Sequence, residues 1–224
     1  MKLILASNSP RRRQLLAGLD IPFEVRLIEG IDESCPDDIP FDEVPCYLSR
    51  LKAEAYVLDD PEEVLITADT VVAVEGMVLG KPHDAEEAKA MLRLLSGREH
   101  QVITGVTLRG ALVKRALNSR ESSVECRGAK EDSFRFGFRF RSDDMFTFMS
   151  STTVFFADLS DEQIDYYVER YKPMDKAGAY GIQEWIGYVG VRRIEGSYYN
   201  VMGLPVQALS EYLRRIKEEE GTKN

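Results

Sequence analysis

Leu3-Ile4-Leu5-Ala6 is a short unbroken apolar run, the pattern of a buried strand, and Gln14-Leu15-Leu16-Ala17-Gly18-Leu19 after it has the spacing of a short helix. Residues 23–27 alternate apolar and polar as a strand should, and an acidic loop follows around Gly30-Ile31-Asp32-Glu33. A helix is predicted next, with Leu48, Leu51, Ala55 and Leu58 on its core face and Lys52 one position off that stripe. Val64-Leu65-Ile66 then enters Thr67-Ala68-Asp69-Thr70-Val71-Val72-Ala73-Val74, a β-branched run that predicts a central strand with one carboxylate in its middle. Glu75-Gly76 turns it into Met77-Val78-Leu79, and residues 100–108 give another strand.

Capping residues set several boundaries. Ser9 suits an N-cap and Pro10 the first helical position. Asp84 with Glu87 and Ser160 with Gln163 are capping-box pairs, and Ser96-Gly97 is a helix stop. Residues 152–156 read as a strand, residues 187–194 and 198–202 as two more joined at Glu195-Gly196-Ser197, and Pro205 opens a final helix. Strands and helices interleave irregularly, which predicts an α/β fold with a mixed sheet rather than a doubly wound parallel one.

Residues 111–150 break this pattern and show no clear helical period. Phe134, Phe136, Phe138, Phe140, Phe146 and Phe148 all fall on even positions, with Arg135, Arg139 and Arg141 between them, so an extended hairpin with a phenylalanine face is predicted, preceded by a loop around 118–130.

Composition narrows the function classes. A chain of 224 residues that is 44% hydrophobic is long enough to bury a sizeable core. The net charge of −9 argues against a general nucleic-acid or anionic-membrane binder, so basic groups must act locally. Cys35, Cys46 and Cys126 are odd in number and lack CxxC spacing, which indicates neither a disulfide framework nor a zinc site and suits a reducing cytoplasm. The opening apolar run is shorter than a secretory signal requires, and no stretch approaches a membrane span. His83 and His100 read as surface or strand residues rather than ligands.

The chemistry starts at Ser7-Asn8-Ser9-Pro10-Arg11-Arg12. Arginines at a helix N-terminus meet the positive end of the macrodipole, so an anion is expected there, held by free N–H groups, hydroxyls and guanidinium groups. Arg13 reads as a surface charge. Asp69 lies inside an apolar strand, where a carboxylate is costly unless paired or bound to a metal. Glu33 in its acidic loop supplies a second carboxylate, and Mg²⁺ needs only one or two beside substrate phosphates and water. Lys81, between a glycine and a proline, and Lys176, in the glycine-rich stretch Asp175-Lys176-Ala177-Gly178-Ala179-Tyr180-Gly181, offer point charges. Whether Lys176 touches phosphate or pins its loop stays open.

Together with Ala68-Asp69-Thr70-Val71-Val72, Gly80-Lys81-Pro82, the stretch from Asp175 through Ile182-Gln183, and Gly196-Ser197-Tyr198-Tyr199-Asn200-Val201-Met202-Gly203-Leu204-Pro205, that turn resembles the Maf family of nucleoside triphosphate pyrophosphatases. The resemblance spans residues 1 to about 110 and 151–215, and implies a two-lobed mixed sheet flanked by helices, akin to the inosine triphosphate pyrophosphatases. It further implies hydrolysis of a triphosphate to monophosphate and pyrophosphate, a divalent cation (Mg²⁺ or Mn²⁺) and a homodimer. Asp69 falls on the family's proton acceptor and, with Glu33, on its metal site; Arg11, Arg12, Lys52 and Lys81 fall on phosphate-contacting positions, beside Ser7 and Ser9. Arg12, Thr70 and Gln183 match the marks of the subgroup preferring thymidine and uridine triphosphates. A glutamine amide both donates and accepts, which suits a pyrimidine's imide edge. The other function attached to the family is a nucleotide-binding regulatory module affecting cell division with little turnover. The chain is expected to be a single domain over 1–224, with 111–150 as an atypical inserted hairpin or loop.

Overall fold

The computed structural model describes residues 1–27, 30–36, 38–118, 139–141 and 144–221. Among the described residues eight strands form one mixed sheet: β1 (Lys2–Leu5), β2 (Phe23–Val25), β3 (Glu63–Val74), β4 (Met77–Leu79), β5 (Glu99–Arg109), β6 (Arg139–Arg141), β7 (Met145–Phe156) and β8 (Val191–Glu195). Their order is β2-β1-β3-β5-β7-β6, with β4 also on β3 and β8 on β7. β1 runs parallel to β2 and β3, and the remaining pairings are antiparallel. The helices are α1 (Pro10–Ala17), α2 (Val44–Glu54), α3 (Ala85–Leu95), α4 (Ala111–Val113), α5 (Asp161–Tyr171), α6 (Trp185–Gly190), α7 (Tyr198–Val201) and α8 (Val206–Gly221). This is the α/β architecture with a mixed sheet that the patterning predicts.

The long strands β3, β5 and β7 form its spine. On the face of even-numbered residues, Val64, Ile66 and Ala68 pack with Val106, Leu108, Phe146 and Phe148 beneath α1 and α8. Further along the same face, Val72, Val74, Val102, Val154 and Phe156 join a second cluster with Leu92 and Leu95 of α3 and Ile164 and Tyr167 of α5. These clusters are the two lobes. Between them the even positions turn polar, with Thr70 paired to Thr104 and Thr104 to Ser150 in the sheet register.

α2 lies on the other, odd-numbered face. A Cβ on Gly105, which pairs with Asp69, would stand 2.4 Å from the Pro45 carbonyl carbon and oxygen, so the helix backbone rests on the strand itself. Such an approach brings polar groups together, and they satisfy one another. Thr67 Oγ1 donates to the Ser49 carbonyl at 2.6 Å, Ser49 Oγ bonds Thr107 Oγ1 at 2.9 Å, and Thr107 bonds Thr147 at 2.8 Å. That contact also corrects the predicted core face of α2. Leu48 is buried as expected, joined by Pro45, Cys46, Ser49 and Ala53, whereas Leu51 is half-buried and the helix ends at Glu54 with an exposed Ala55 as C-cap, short of Leu58.

Capping is where expected. Ser9 accepts from the Arg12 N–H, Asp84 from the Glu87 N–H, and Ser160 and Gln163 form the complete capping box. Residues 187–202 differ from the expected strands. Only Val191–Glu195 is a strand; Gly187 lies inside α6, where an added Cβ would fall 1.8 Å from the Ile182 carbonyl oxygen, and α7 is capped by Ser197 accepting from the Asn200 N–H.

The 111–150 segment begins helically, against expectation: α4 runs into a π-turn, Lys114–Asn118, and Leu112, Val113, Ala116 and Leu117 are buried in the first cluster. β6 and β7 do form an antiparallel pair, but its register sets Arg139 against Phe148 and Arg141 against Phe146. Even positions of one strand therefore meet odd positions of the other, and a single phenylalanine face does not run through both. Phe146 and Phe148 instead pack on Tyr212 of α8, with ring centroids 4.7 Å apart in each pair. Phe134, Phe136, Phe138 and the predicted loop beyond Asn118 lie outside the described residues. Among the described residues, no helix is long and apolar enough to cross a membrane.

Candidate active site

Residues 7–12, 68–72, 80–81, 175–183 and 201–203 all contribute to the lining of one cleft of about 620 Å³, which opens over the polar waist between the two lobes. Every motif quoted for the family resemblance thus reaches the same place.

One side of the cleft is charged. Ser7 Oγ accepts from the Ser9 N–H at 3.2 Å and Ser9 Oγ from the Arg12 N–H at 3.4 Å, which winds the chain from β1 into α1. Arg13 closes the same turn, donating from Nε and Nη2 to the Ser7 carbonyl at 3.4 and 3.3 Å; it is a brace, not the surface charge expected. Arg11 Nη1 stands 2.8 Å from Asp175 Oδ2. Burial acts to raise the Asp175 carboxyl, but hydrogen bonds from Lys176 and Arg11 outweigh it and hold the group below its ordinary range. Lys81 is exposed on the cleft and has no ion-pair partner among the described residues.

Deeper on this side, Lys52 Nζ lies 2.6 Å from Asp69 Oδ1 and 2.9 Å from Glu33 Oε2. Two carboxylates from β3 and the acidic loop therefore converge on one cationic point. Hard oxygen donors around such a point fit a divalent cation. Among the described residues no group of three or more His, Cys, Asp or Glu side chains offers a metal site, so an ion here would complete its shell from substrate and water. The second oxygen of Asp69 has no hydrogen-bond partner among the described residues.

The other side is built from neutral groups around a single guanidinium. Arg12 Nε donates to the Gly203 carbonyl at 2.8 Å, Nη1 to the Ala68 carbonyl at 2.7 Å and Nη2 to Thr70 Oγ1 at 3.0 Å. Burial lowers its pKa, partly offset by the charge of Asp69. Thr70 bonds Thr104 at 3.0 Å, and Thr104 donates to the Asn200 carbonyl at 3.3 Å. Since Arg12 can only donate and that carbonyl only accept, the chain has one direction: the Thr70 hydroxyl proton is spent on Thr104, and one Thr70 lone pair is left. Asn200 Nδ2 ties Val102 and Thr152 together, each at 3.0 Å. Gln183 lines the cleft with its Oε1 buried and without a partner among the described residues.

A model of the family described as Maf-like protein matches residues 2–216. The chain belongs to the Maf-like family. It is similar to a protein of Parabacteroides distasonis named dTTP/UTP pyrophosphatase, 51% identical over 218 residues covering 96% of each chain. It is also similar to one of the same name from Phocaeicola vulgatus, 48% identical over 216 residues and 96% of each chain. Among solved structures, a nucleoside-triphosphatase / dITP/XTP pyrophosphatase of Mycobacterium abscessus matches 50% of this chain and 65% of its own, at 17% identity and a TM-score of 0.31. That likeness is too loose to bear on the fold.

Within this Maf-like cleft the sequence-predicted residues divide. Glu33, Lys52 and Asp69 meet; Arg12 meets Thr70; Arg11 reaches the 175–183 loop through Asp175, whose neighbour Lys176 bonds Asp175 at 2.7 Å and Glu184 at 3.1 Å rather than facing free into the cleft. Arg12 was expected on both phosphate and specificity positions, and its three hydrogen bonds place its guanidinium on the neutral side. The roles of Asn200, Tyr167 and Glu184 escaped the sequence reading. Only Asn200 carried a local signal, three residues after a capping serine in a quoted motif.

Proposed function

We propose that this chain hydrolyses nucleoside triphosphates, dTTP and UTP before others, to the nucleoside monophosphate and pyrophosphate. The observation that carries the reading is the single cleft in which five sequence-distant motifs place a charged wall opposite a neutral hydrogen-bonding wall. The names of its Maf-like relatives support the same substrates.

Ser7, Ser9, Arg11 and Lys81 bind the triphosphate, and Arg11 exchanges Asp175 for phosphate oxygens as substrate enters. Glu33 and Asp69 would hold a divalent cation, Mg²⁺ or Mn²⁺, which would supply charge neutralisation for the phosphates. Lys52, on a flexible stem, then turns its ammonium to a phosphate oxygen. The free oxygen of Asp69 takes a proton from water as that water forms a bond to the α-phosphorus and the bond from the α-phosphorus to the bridging oxygen breaks, releasing pyrophosphate. On the neutral wall, Gln183 pairs with the imide edge of the base, donating to a carbonyl and accepting from N3–H. Arg12 sets the Thr70 hydroxyl with one lone pair toward the cleft. Cytosine carries an acceptor at N3 and is disfavoured by those acceptors.

The test is pyrophosphate release from dTTP, UTP, CTP, 7-methyl-GTP and ITP, each with Mg²⁺, Mn²⁺ or no metal. Release with dTTP and UTP well above the others, dependent on metal, is the expected result. Tight triphosphate binding without release would favour the regulatory module, and equal rates with CTP would remove the base-reading role of Gln183.

A further inference from the structure

Tyr167 of α5 is wholly buried in the second lobe, yet its hydroxyl reaches the loop that carries Gln183. The phenol donates to the Glu184 carboxylate and accepts from the Gly181 N–H at 3.0 Å. One oxygen atom thus grips the chain two residues before Gln183 and one residue after it. Glu184 in turn lies 3.1 Å from Lys176 Nζ, which bonds Asp175 at 2.7 Å on its other side. Lys176 has a side-chain exposure of 9%, so its charge is spent inside the loop.

The packing over this grip is close. A Cβ on Gly181 would stand 3.0 Å from each of Gln183 Nε2, Glu184 Cδ and Lys176 Cε, so the three side chains close tightly over this position and would have to shift to admit a methyl group. Gln183 itself forms no hydrogen bond with the described residues, and its buried Oε1 lacks a partner. Its place is therefore set by its neighbours and not by a bond of its own.

We propose that Tyr167 and Glu184 are positioning residues for base discrimination, holding Gln183 in register with the base through the Gly181 amide and Lys176. The inference rests on the reading that Gln183 recognises the base. Burial and the Glu184 carboxylate both push the Tyr167 phenol up, so it stays a hydrogen-bond donor across the working range. A hydrogen-bonding group that is present but off its geometry loses discrimination before the chemistry at Asp69 suffers, because Asp69 is held from the opposite face of β3.

The experiment measures kcat and KM for dTTP and CTP in Tyr167→Phe, Glu184→Gln and Gln183→Ala, with a thermal midpoint for each. Tyr167→Phe is expected to lower the dTTP-to-CTP ratio of kcat/KM by roughly tenfold, mainly through KM for dTTP, as misplacement of a recognition group does. Glu184→Gln keeps an acceptor for the phenol while removing the carboxylate charge that pairs with Lys176, and is expected to give a smaller fall in the same direction. A merely structural role would lower the midpoint and both activities together and leave the ratio alone; that result overturns the proposal. So does loss of the ratio in Gln183→Ala with the ratio intact in both other variants. If Gln183→Ala keeps the ratio, the reading beneath fails, and a fall in Tyr167→Phe would then come from elsewhere, which also overturns the proposal. Should Tyr167→Phe fail to fold, Glu184→Gln decides alone.

Discussion

Asp69 and Thr70 are consecutive in β3 and serve opposite walls of the cleft. Asp69 faces α2, where Lys52 and Glu33 meet it, and the hydroxyls below it are closed into a ladder of Thr67, Ser49, Thr107 and Thr147. Thr70 faces the waist between the lobes, where Arg12, Thr104 and Asn200 form a directed chain and two buried acceptors, Asn200 Oδ1 and Gln183 Oε1, have no partner among the described residues. The pleat of one strand is enough to separate them, since successive side chains leave a strand on opposite faces. The charged wall is braced by ion pairs, with the second Asp69 oxygen and Lys81 exposed to the cleft, whereas the neutral wall keeps buried acceptors unspent. A buried polar atom without a partner is costly in an empty protein and discriminating in an occupied one.

The sharpest break of this comparison is Asp69→Asn. It keeps the shape of the side chain and removes its basicity, and turnover of dTTP is expected to fall on the order of 10³-fold, the range of a lost general base. The thermal midpoint and the preference for dTTP over CTP, read from inhibition by each nucleotide, should stay near those of the unaltered protein. Near-normal turnover with saturating Mg²⁺ would remove Asp69 from the proton transfer.

Gly105→Ala asks whether the charged wall depends on how closely α2 sits. The added methyl meets the Pro45 backbone at 2.4 Å, and backbone cannot swing aside as a side chain does. Overpacking of this kind costs about 1–3 kcal/mol. Lys52 is displaced with its helix, so kcat is expected to drop with the base ratio unchanged. Chemical denaturation and steady-state kinetics measure the two effects, and a changed ratio with normal kcat would mean that the walls are not separable.

Thr70→Val is the complementary test on the neutral wall. It removes the one hydroxyl that links Arg12 to Thr104 and leaves the strand's shape intact. The dTTP-to-CTP ratio is expected to fall by about tenfold, the equivalent of one hydrogen bond to a charged group, with kcat changed by less than about twofold. A fall confined to kcat would put Thr70 on the wrong wall.

How much of this could be read from the chain follows from range. Ser9, Asp84 and Ser160 cap their helices within three residues, so sequence alone places them. β3 was legible because its β-branched run is long and its single carboxylate conspicuous. Asp69 and Lys81 stood out from their local context and Gln183 through a family motif, yet nothing local says that Lys52 bridges Asp69 and Glu33 or that Arg12 spends its donors on Gly203, Ala68 and Thr70. Those partners lie across the sheet, and only the register brings them together. The strand expected over 187–194 starts only at Val191, and the one over 198–202 is helical; Gly187 sits in a helix against the Ile182 carbonyl, a contact invisible to periodicity.

The smallest expected effect concerns His100, buried on the even-numbered face of β5 that also carries Thr104. Its Nε2 is 2.7 Å from the Tyr180 hydroxyl of the 175–183 loop, its ring meets Phe156 and Tyr180 edge-on, and Nδ1 is buried without a partner among the described residues. Protonation would put a charge where only one ring nitrogen has a neighbour, so burial pushes its pKa down from 6.5 to about 4. The unfolded chain takes the proton near 6.5 and the folded one not until about 4, so between those values the unfolded state binds more protons and stability falls as pH is lowered. From pH 7 to 5.5 this single group removes about 1 kcal/mol. His100→Gln, which keeps a polar group beside Tyr180 but does not titrate, should flatten that part of the stability curve by the same amount in urea denaturation. An unchanged slope would mean that His100 does not set the acid sensitivity of the fold between those pH values.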